Sequence, residues 1–386
     1  MHTVRINRKG ANRIASGHPW IFTSDLLDRG EAVAGEAVVV VDPSGAGVGT
    51  AHYSDASQIS LRMLSGRPET IDRAFFLRRI AEAEAYRKRV VSNTEAYRLV
   101  HGEGDQLPGL VIDRYGEYFT IQTLDQGMDG AKAEVVSVLE ELFSPLGIVE
   151  RNDVAVRKRE ALPLQTGVLA GSVPDMVPIQ MNDLALHADL LHGQKTGIFL
   201  DQRENYVAAA RYARGRALDC FASTGGFALH LAPKCESVEA VDSSEAALRA
   251  ARLNCEANTI SNVEFREADV FELLAGYASA HRRFDIVVLD PPAFAKSRQN
   301  LEAAVRGYRE INRRALELLN SGGILVTCSC SHHLSEAALL EIVASASLDT
   351  GRKLRVIERR MQAQDHPVLL TVPETLYLKC MILQVI

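Results

Sequence analysis

In the second half of the chain, four apolar runs each close on an aspartate. Runs 216–219, 237–242, 263–269 and 284–290 end at Asp219, Asp242, Asp269 and Asp290, and the stretches between them read as helices. Apolar runs alternating with helices are the mark of βαβ units, which build a parallel sheet covered on both faces. A fifth run, 323–328, continues the pattern, and 375–386 reads as a late edge or antiparallel strand. The expected fold class is therefore α/β. In an open sheet of this kind ligands bind outside the carboxyl ends of the strands. The four aspartates are placed to line one such crevice. Each alone reads equally well as a turn residue or helix N-cap; four in successive units strengthen the crevice reading.

The first half has another rhythm. Short β-rich runs at 36–42, 47–53 and 58–64 are separated by Gly, Pro, Ser and Asp turns. Segment 68–91 is rich in Ala, Glu and Arg, without internal Gly or Pro, and predicts a helix. Strands at 107–113 and 118–123, a helix over 132–143 and further strands to about 187 make a mixed block. The division expected is a small β domain over 1–74, a central α+β domain over 75–186 and the α/β domain over 187–386.

Composition sets limits on partners. The net charge is −6 over 386 residues, so any nucleic acid must be met by a local basic surface. No run of ~18 apolar residues exists to span a membrane. The start, MHTVRINRKG, lacks the apolar stretch of a secretory signal. The six cysteines show no disulfide spacing, so reduced thiols in a cytoplasmic protein are expected.

The crevice residues suggest a chemistry. After Asp219 comes Cys220-Phe221-Ala222-Ser223-Thr224-Gly225-Gly226-Phe227. Gly225 and Gly226 predict close backbone approach to a ligand at a helix start, although this is not the G-x-G-x-x-G fingerprint. Asp242 is placed to accept from both ribose hydroxyls of an adenosine group, and Asp269 to meet an adenine amino group. That pattern fits NAD and S-adenosylmethionine alike. Asp290-Pro291-Pro292 offers a carboxylate and proline-fixed carbonyls, which suit the edge of a planar base carrying an amino group. The plain alternative is a strand-ending turn.

One strand later stands Thr327-Cys328-Ser329-Cys330-Ser331-His332-His333. Strand alternation puts Cys328 and Cys330 on one face if the strand extends that far. Cys330, nearer the carboxyl end, is the candidate nucleophile. A thiolate adding to C6 of a pyrimidine makes C5 enamine-like and able to accept a methyl group. Only roughly 3% of a free thiol is ionised at neutral pH, so nearby positive charge or a helix dipole is expected to assist. The Cys-x-Cys-x-His-His run is not a zinc spacing, and no metal is expected.

These residues, with others, carry a resemblance. The matching stretches are Gly17-His18-Pro19-Trp20, Gln194-Lys195-Thr196-Gly197-Ile198-Phe199-Leu200-Asp201-Gln202-Arg203, the 221–227 loop, Asp290-Pro291-Pro292-Ala293-Phe294, Ser329-Cys330-Ser331, Asp365-His366-Pro367 and Pro373-Glu374. Together they resemble the bacterial ribosomal RNA large-subunit methyltransferase I family, which makes 5-methylcytidine in 23S rRNA. The resemblance spans nearly the whole chain. It implies an N-terminal PUA-like RNA-binding domain, a central α+β domain and a C-terminal Rossmann-like class I methyltransferase domain. It implies S-adenosylmethionine near Lys195, Phe221, Asp242, Asp269 and Asp290, beside the turn at Gly225 already read as a ligand approach, with Cys330 as nucleophile. Asp290 would act with Cys330 by holding the base, beside Pro291 and Pro292. A homodimer is one assembly the resemblance suggests. His332-His333 departs from the Gly-containing sequence expected after Ser331, which bears on the pocket rim.

Two basic features suggest RNA contact. Arg5, Arg8, Lys9 and Arg13 form an arm with no acid among the first 24 residues. Arg306, Arg309 and Arg313 are spaced for one helix face, preceded by Lys296 and Arg298. Either could be merely a solvated surface. Trp20, the single tryptophan, reads as a packing residue rather than a base platform, and His187 and His192 suggest no specific role. The leading function is RNA cytosine-C5 methylation. The alternatives are an RNA purine methyltransferase that uses Asp290-Pro291-Pro292 without a covalent step, and an inactive RNA-binding assembly factor. A nicotinamide oxidoreductase accounts for neither Cys330 nor Asp290-Pro291-Pro292.

Overall fold

The computed structural model describes residues 1–294 and 300–386, so Lys296 and Arg298 lie outside the described residues. The chain forms two compact units. The first holds 1–180, 188–198 and 364–375; the second holds 181–187, 199–363 and 376–386. The first unit thus takes back a segment from far along the chain. Three consecutive domains, as expected from sequence, do not include such a return, because periodicity reads local elements only.

The first unit contains two sheets. In the six-stranded sheet the order is Trp20–Phe22, Ile59–Ser65, Gly47–Tyr53, Ala37–Val41, Thr3–Ile6 and Leu26–Asp28. Alternating residues Val4, Ile6, Val38 and Val40 fill its core with Ile21, Ala51 and Leu61. Helix Arg8–Ala15 starts where the Asn7 side chain accepts the Gly10 N–H at 2.8 Å. The five-stranded sheet runs Thr166–Gly171, Gly147–Arg151, Tyr118–Thr123, Leu110–Tyr115, Ala96–His101. Helices Arg73–Val90 and Lys132–Phe143 bury Phe75, Phe76, Ile80, Val135 and Leu139 against its Leu99, Ile112, Phe119 and Ile121.

The returning segment explains two stretches that local sequence reading leaves isolated. Asp365 accepts the Arg98 N–H at 2.8 Å, and its carbonyl accepts from Arg87 at 2.8 Å. Glu374 meets His18 at 3.3 Å. Trp20 is half-buried and donates to Glu103 at 2.8 Å. The stretches 17–20 and 365–374 therefore meet within one unit.

The second unit is built on a seven-stranded sheet. Its order is Val263–Glu267, Ser237–Asp242, Arg216–Cys220, Phe284–Leu289, Leu319–Ser329, Lys379–Val385 and Leu354–Arg360. Neighbours are parallel except that Lys379–Val385 runs antiparallel to both strands beside it. Leu218, Val241, Val287, Leu289, Leu325 and Met381 meet helix residues Leu274, Ile311, Leu316, Leu339 and Val343 in the core. Chain order reverses between Arg216–Cys220 and Phe284–Leu289, which makes their carboxyl ends the switch point where such folds bind ligands. The strand before Asp269 stops at Glu267, and the strand before Asp290 stops at Leu289.

Candidate functional site

The loop after Arg216–Cys220 is strained. Phe221 and Ser223 sit at φ +64° and +49°, although neither is glycine. Such backbone costs about 1 kcal/mol or more per residue and persists only where surroundings impose it. Part of the imposition is Asp242. One of its carboxylate oxygens accepts the Ser223 N–H and the other the Ser244 N–H, both at 2.9 Å. Asp242 remains half-buried, so its other lone pairs face outward from the strand end.

Gly225 and Gly226 are closely packed against protein atoms. Gly225 has φ +85°, and a Cβ there would lie 2.4 Å from Leu229 Cδ1. A Cβ on Gly226 would lie 2.3 Å from Tyr206 Cζ. Both glycines are required by protein atoms: helix Gly226–Leu231 packs onto Tyr206, whose ring also meets Phe227 at 4.8 Å.

Asp219 lies fully buried under this loop. One oxygen accepts the Ala228 N–H at 2.9 Å, and the other has no hydrogen-bond partner. Burial pushes its carboxyl well above the usual range, and the neighbouring Asp290 and Asp242 add to that. Three of the four strand-end aspartates are thus electrostatic neighbours. Asp269 is different: it is exposed and its side chain caps helix Val270–Ser279 by accepting the Glu272 N–H at 3.1 Å.

Across the switch point, a polar chain orients Asp290. Arg360 donates to Asn205 at 2.9 Å, Asn205 to Gln202 at 2.7 Å, and Gln202 to Asp290 at 3.0 Å. Gln202 and Asn205 are buried. Each group in this chain is held in one orientation by the next, so the Asp290 carboxylate has a fixed aim. Pro291 is buried and Pro292 exposed, which carries the chain out of the sheet.

The thiol side follows on the adjacent strand, where Leu289 lies opposite Thr327. The strand ends at Ser329, so regular alternation does not extend to Cys330. Cys328 is fully buried near Cys380, and burial pushes its thiol well up. Cys330 is partly exposed; the other five cysteines are buried. Tyr308, from helix Leu301–Leu318, accepts from Ser329 at 2.9 Å and lies 3.3 Å from the Ser331 hydroxyl. Lys379 is opposite Ser329 in the antiparallel pair, and its ammonium donates to the carbonyls of Ser331 at 2.7 Å and Tyr377 at 2.8 Å. Burial lowers Lys379 to about 8, against an opposing electrostatic effect of Cys330.

Sequence reasoning therefore missed Gln202, Tyr308 and Lys379. Lys379 left a signal, a lone charge inside the apolar run Leu378–Val385. Lys195 is exposed at φ +52° and belongs to the first unit. The expected basic stripe is charge-compensated at two of its three positions: Arg309 pairs with Asp349 through 2.9 and 2.8 Å bonds, and Arg313 with Glu310 and Glu317. Arg306 is exposed. In the N-terminal arm, Arg13 and Lys9 are paired with Asp25.

Comparison with known proteins shows the family. A PUA-like domain model matches residues 4–66, and an S-adenosylmethionine-dependent methyltransferase model matches 154–379. A Shigella boydii serotype 18 protein named ribosomal RNA large subunit methyltransferase I is 42% identical over 371 residues, 94% of each chain. An Escherichia coli O127:H6 protein of that name matches equally. The chain belongs to the ribosomal RNA large subunit methyltransferase I family. Its fold is shared with the solved structure of SMU.776 complexed with SAH, at TM-score 0.86 and 20% identity over 100% of both chains. A solved Streptococcus mutans SAM-dependent methyltransferase gives TM-score 0.84 at 20% identity over the same shares.

Its cofactor as a family member is S-adenosylmethionine. The residues present fit that group. The donor carries a sulfonium and an ammonium, both cationic, and the strand ends offer the half-buried Asp242 carboxylate beside Asp219, whose orphaned oxygen lies under the same loop. Among the described residues no group of side chains has the makings of a metal site, and no helix is long and apolar enough to cross a membrane.

Proposed function

We propose that this methyltransferase acts on 23S ribosomal RNA and methylates C5 of a cytidine through a covalent bond between Cys330 and C6. The observation that carries this reading is Cys330 itself. It is the one partly exposed cysteine among six, at the end of the strand beside Asp290, with a buried ammonium next to it.

In this reading Asp242 holds the ribose hydroxyls and the 221–225 loop lies against the donor. Asp290, aimed by Gln202, accepts a hydrogen bond from the cytosine amino group. Bound S-adenosylmethionine supplies a methyl group on a positively charged sulfur, a leaving group that departs neutral. The Cys330 thiolate forms a bond to C6, and the C5=C6 pair moves to C5, which takes the methyl group. A base then takes the C5 proton, the C5–H bonding pair re-forms the C5=C6 bond, and the C6–S pair leaves with sulfur, which restores the thiolate. The base must leave its stack to reach the crevice, which costs a few kcal/mol and less from a loop.

The test uses undermethylated 23S rRNA with the wild-type chain and Cys330→Ala, with the product mapped by mass spectrometry. The expected result is 5-methylcytidine from the wild type and none from the variant. Full turnover by the variant overturns the covalent step. A methylpurine product would transfer the assignment to the purine reading.

A further inference from the structure

Lys379 is a buried cation of unusual surroundings. The residue is 5% exposed, and among the described residues no carboxylate comes within ion-pair distance of it. Its ammonium is held by two main-chain carbonyls, at Ser331 and Tyr377. Burying a charge without an opposite charge is expensive, and proteins place such groups only where a partner or a function compensates. The titratable groups around this end of the strand are few. Tyr308 faces it from helix Leu301–Leu318, hydrogen-bonded to Ser329, and burial keeps its hydroxyl protonated. Cys328 and Cys380 are buried behind it, and burial keeps Cys328 neutral. Asp290 stands at the end of the neighbouring strand, and Tyr377 donates to the buried Asp201 carboxylate at 2.8 Å and carries the exposed His332 against its ring at 5.6 Å. Cys330 lies within electrostatic reach of the Lys379 ammonium.

We propose that Lys379 is the positioning residue for the Cys330 thiolate, its buried ammonium holding the sulfur in the ionised form that adds to C6. This rests on the reading of Cys330 as nucleophile. The geometry suits the task. The strand Lys379–Val385 is antiparallel to Leu319–Ser329, and the register sets Lys379 opposite Ser329. The carbonyl that anchors the ammonium belongs to Ser331, the residue directly after Cys330. Below about pH 8 the ammonium is present and favours the thiolate; above it the ammonium loses its proton and that help fades.

The experiment reads the thiol directly, without RNA or methyl donor. Alkylation of Cys330 in the full chain is followed by peptide mass spectrometry across pH, for wild type, Lys379→Met, Lys379→Gln and Lys379→Arg. Thermal melts accompany each variant. In the wild type the midpoint is expected below the ~8.5 of a free thiol. In Lys379→Met and Lys379→Gln it should rise by about one unit, a roughly 10-fold loss of thiolate at neutral pH. Lys379→Arg should restore most of the shift. An unmoved midpoint in folded Lys379→Met overturns the proposal, as does an equal shift in Lys379→Arg. If the variants do not fold, the thiolate ultraviolet absorbance of wild type minus Cys330→Ser decides: a midpoint at or above ~8.5 overturns it. Failure of the covalent reading shows separately, as methylation by Cys330→Ala with the alkylation shift intact.

Discussion

On one side of the switch point the strand ends present carboxylates; on the other they present a thiol and a buried ammonium. Asp219 and Asp242 surround the strained loop at Phe221 and Ser223, while Cys330, Tyr308 and Lys379 gather at the end of Leu319–Ser329. Asp290 stands between them, in electrostatic reach of Asp219 and Cys328. The division suits a reaction with a cationic donor and an anionic nucleophile. Each reactant is best served by surroundings of opposite charge, and in a low-dielectric crevice that preference is strong. On the proposed reading one sheet meets both demands by giving successive strand ends different side chains.

Perturbing the middle of this arrangement should have the largest effect. On the proposed reading Asp290→Ala removes the hold on the base, and it leaves the buried Gln202 amide without the Asp290 acceptor. The expected loss is about 100-fold in kcat/KM, measured in steady state with rRNA. On the acidic side, Asp242→Ala should weaken S-adenosylmethionine binding about 10-fold by calorimetry, since it also releases the Ser223 and Ser244 N–H groups. The same variant should leave the pH profile of Cys330 alkylation where it was. A coupled change in both readings would mean that the two sides are not separate.

On the thiol side, Tyr308→Phe removes the hydroxyl that joins Ser329 and Ser331. We expect about a 5-fold fall in kcat with unchanged donor affinity, the scale of one net hydrogen bond. A fall in donor affinity instead would blur the division. Smallest of all should be Arg309→Gln and Arg313→Gln, which remove charges already matched by Asp349, Glu310 and Glu317. Filter binding to rRNA should change less than about 2-fold, with little change in salt slope. A steep loss would return that helix face to the RNA-binding surface.

The α/β half was legible because strands buried on both faces read as continuous apolar runs. Ser237–Asp242 agrees at both ends with the sequence reading, and Arg216–Cys220 differs by one residue. Helix Lys132–Phe143 and strand Tyr118–Thr123 were also legible to the residue. Other bounds moved. Helix Arg73–Val90 starts later than composition suggested, because Asp72 caps it by accepting the Phe75 N–H. Asp269 illustrates the limit for a site: its position in the ladder was plain, yet its side chain is engaged in a helix cap. Gly225 and Gly226 are visible as a pair, but the atoms that exclude a Cβ there belong to Leu229 and Tyr206.

By itself the sequence determined the parallel sheet, the acidic strand ends, Asp290-Pro291-Pro292 and a cysteine one strand beyond, because these depend on local pattern and on spacing by βα units. Only the tertiary structure decided which of them act on one another. Residues 364–375 return to the first unit, Gln202 reaches Asp290, and Lys379 arrives beside Cys330 through the register of an antiparallel strand. Such contacts join residues far apart in the chain, and burial sets their charge states. Neither is written in any local run of residues.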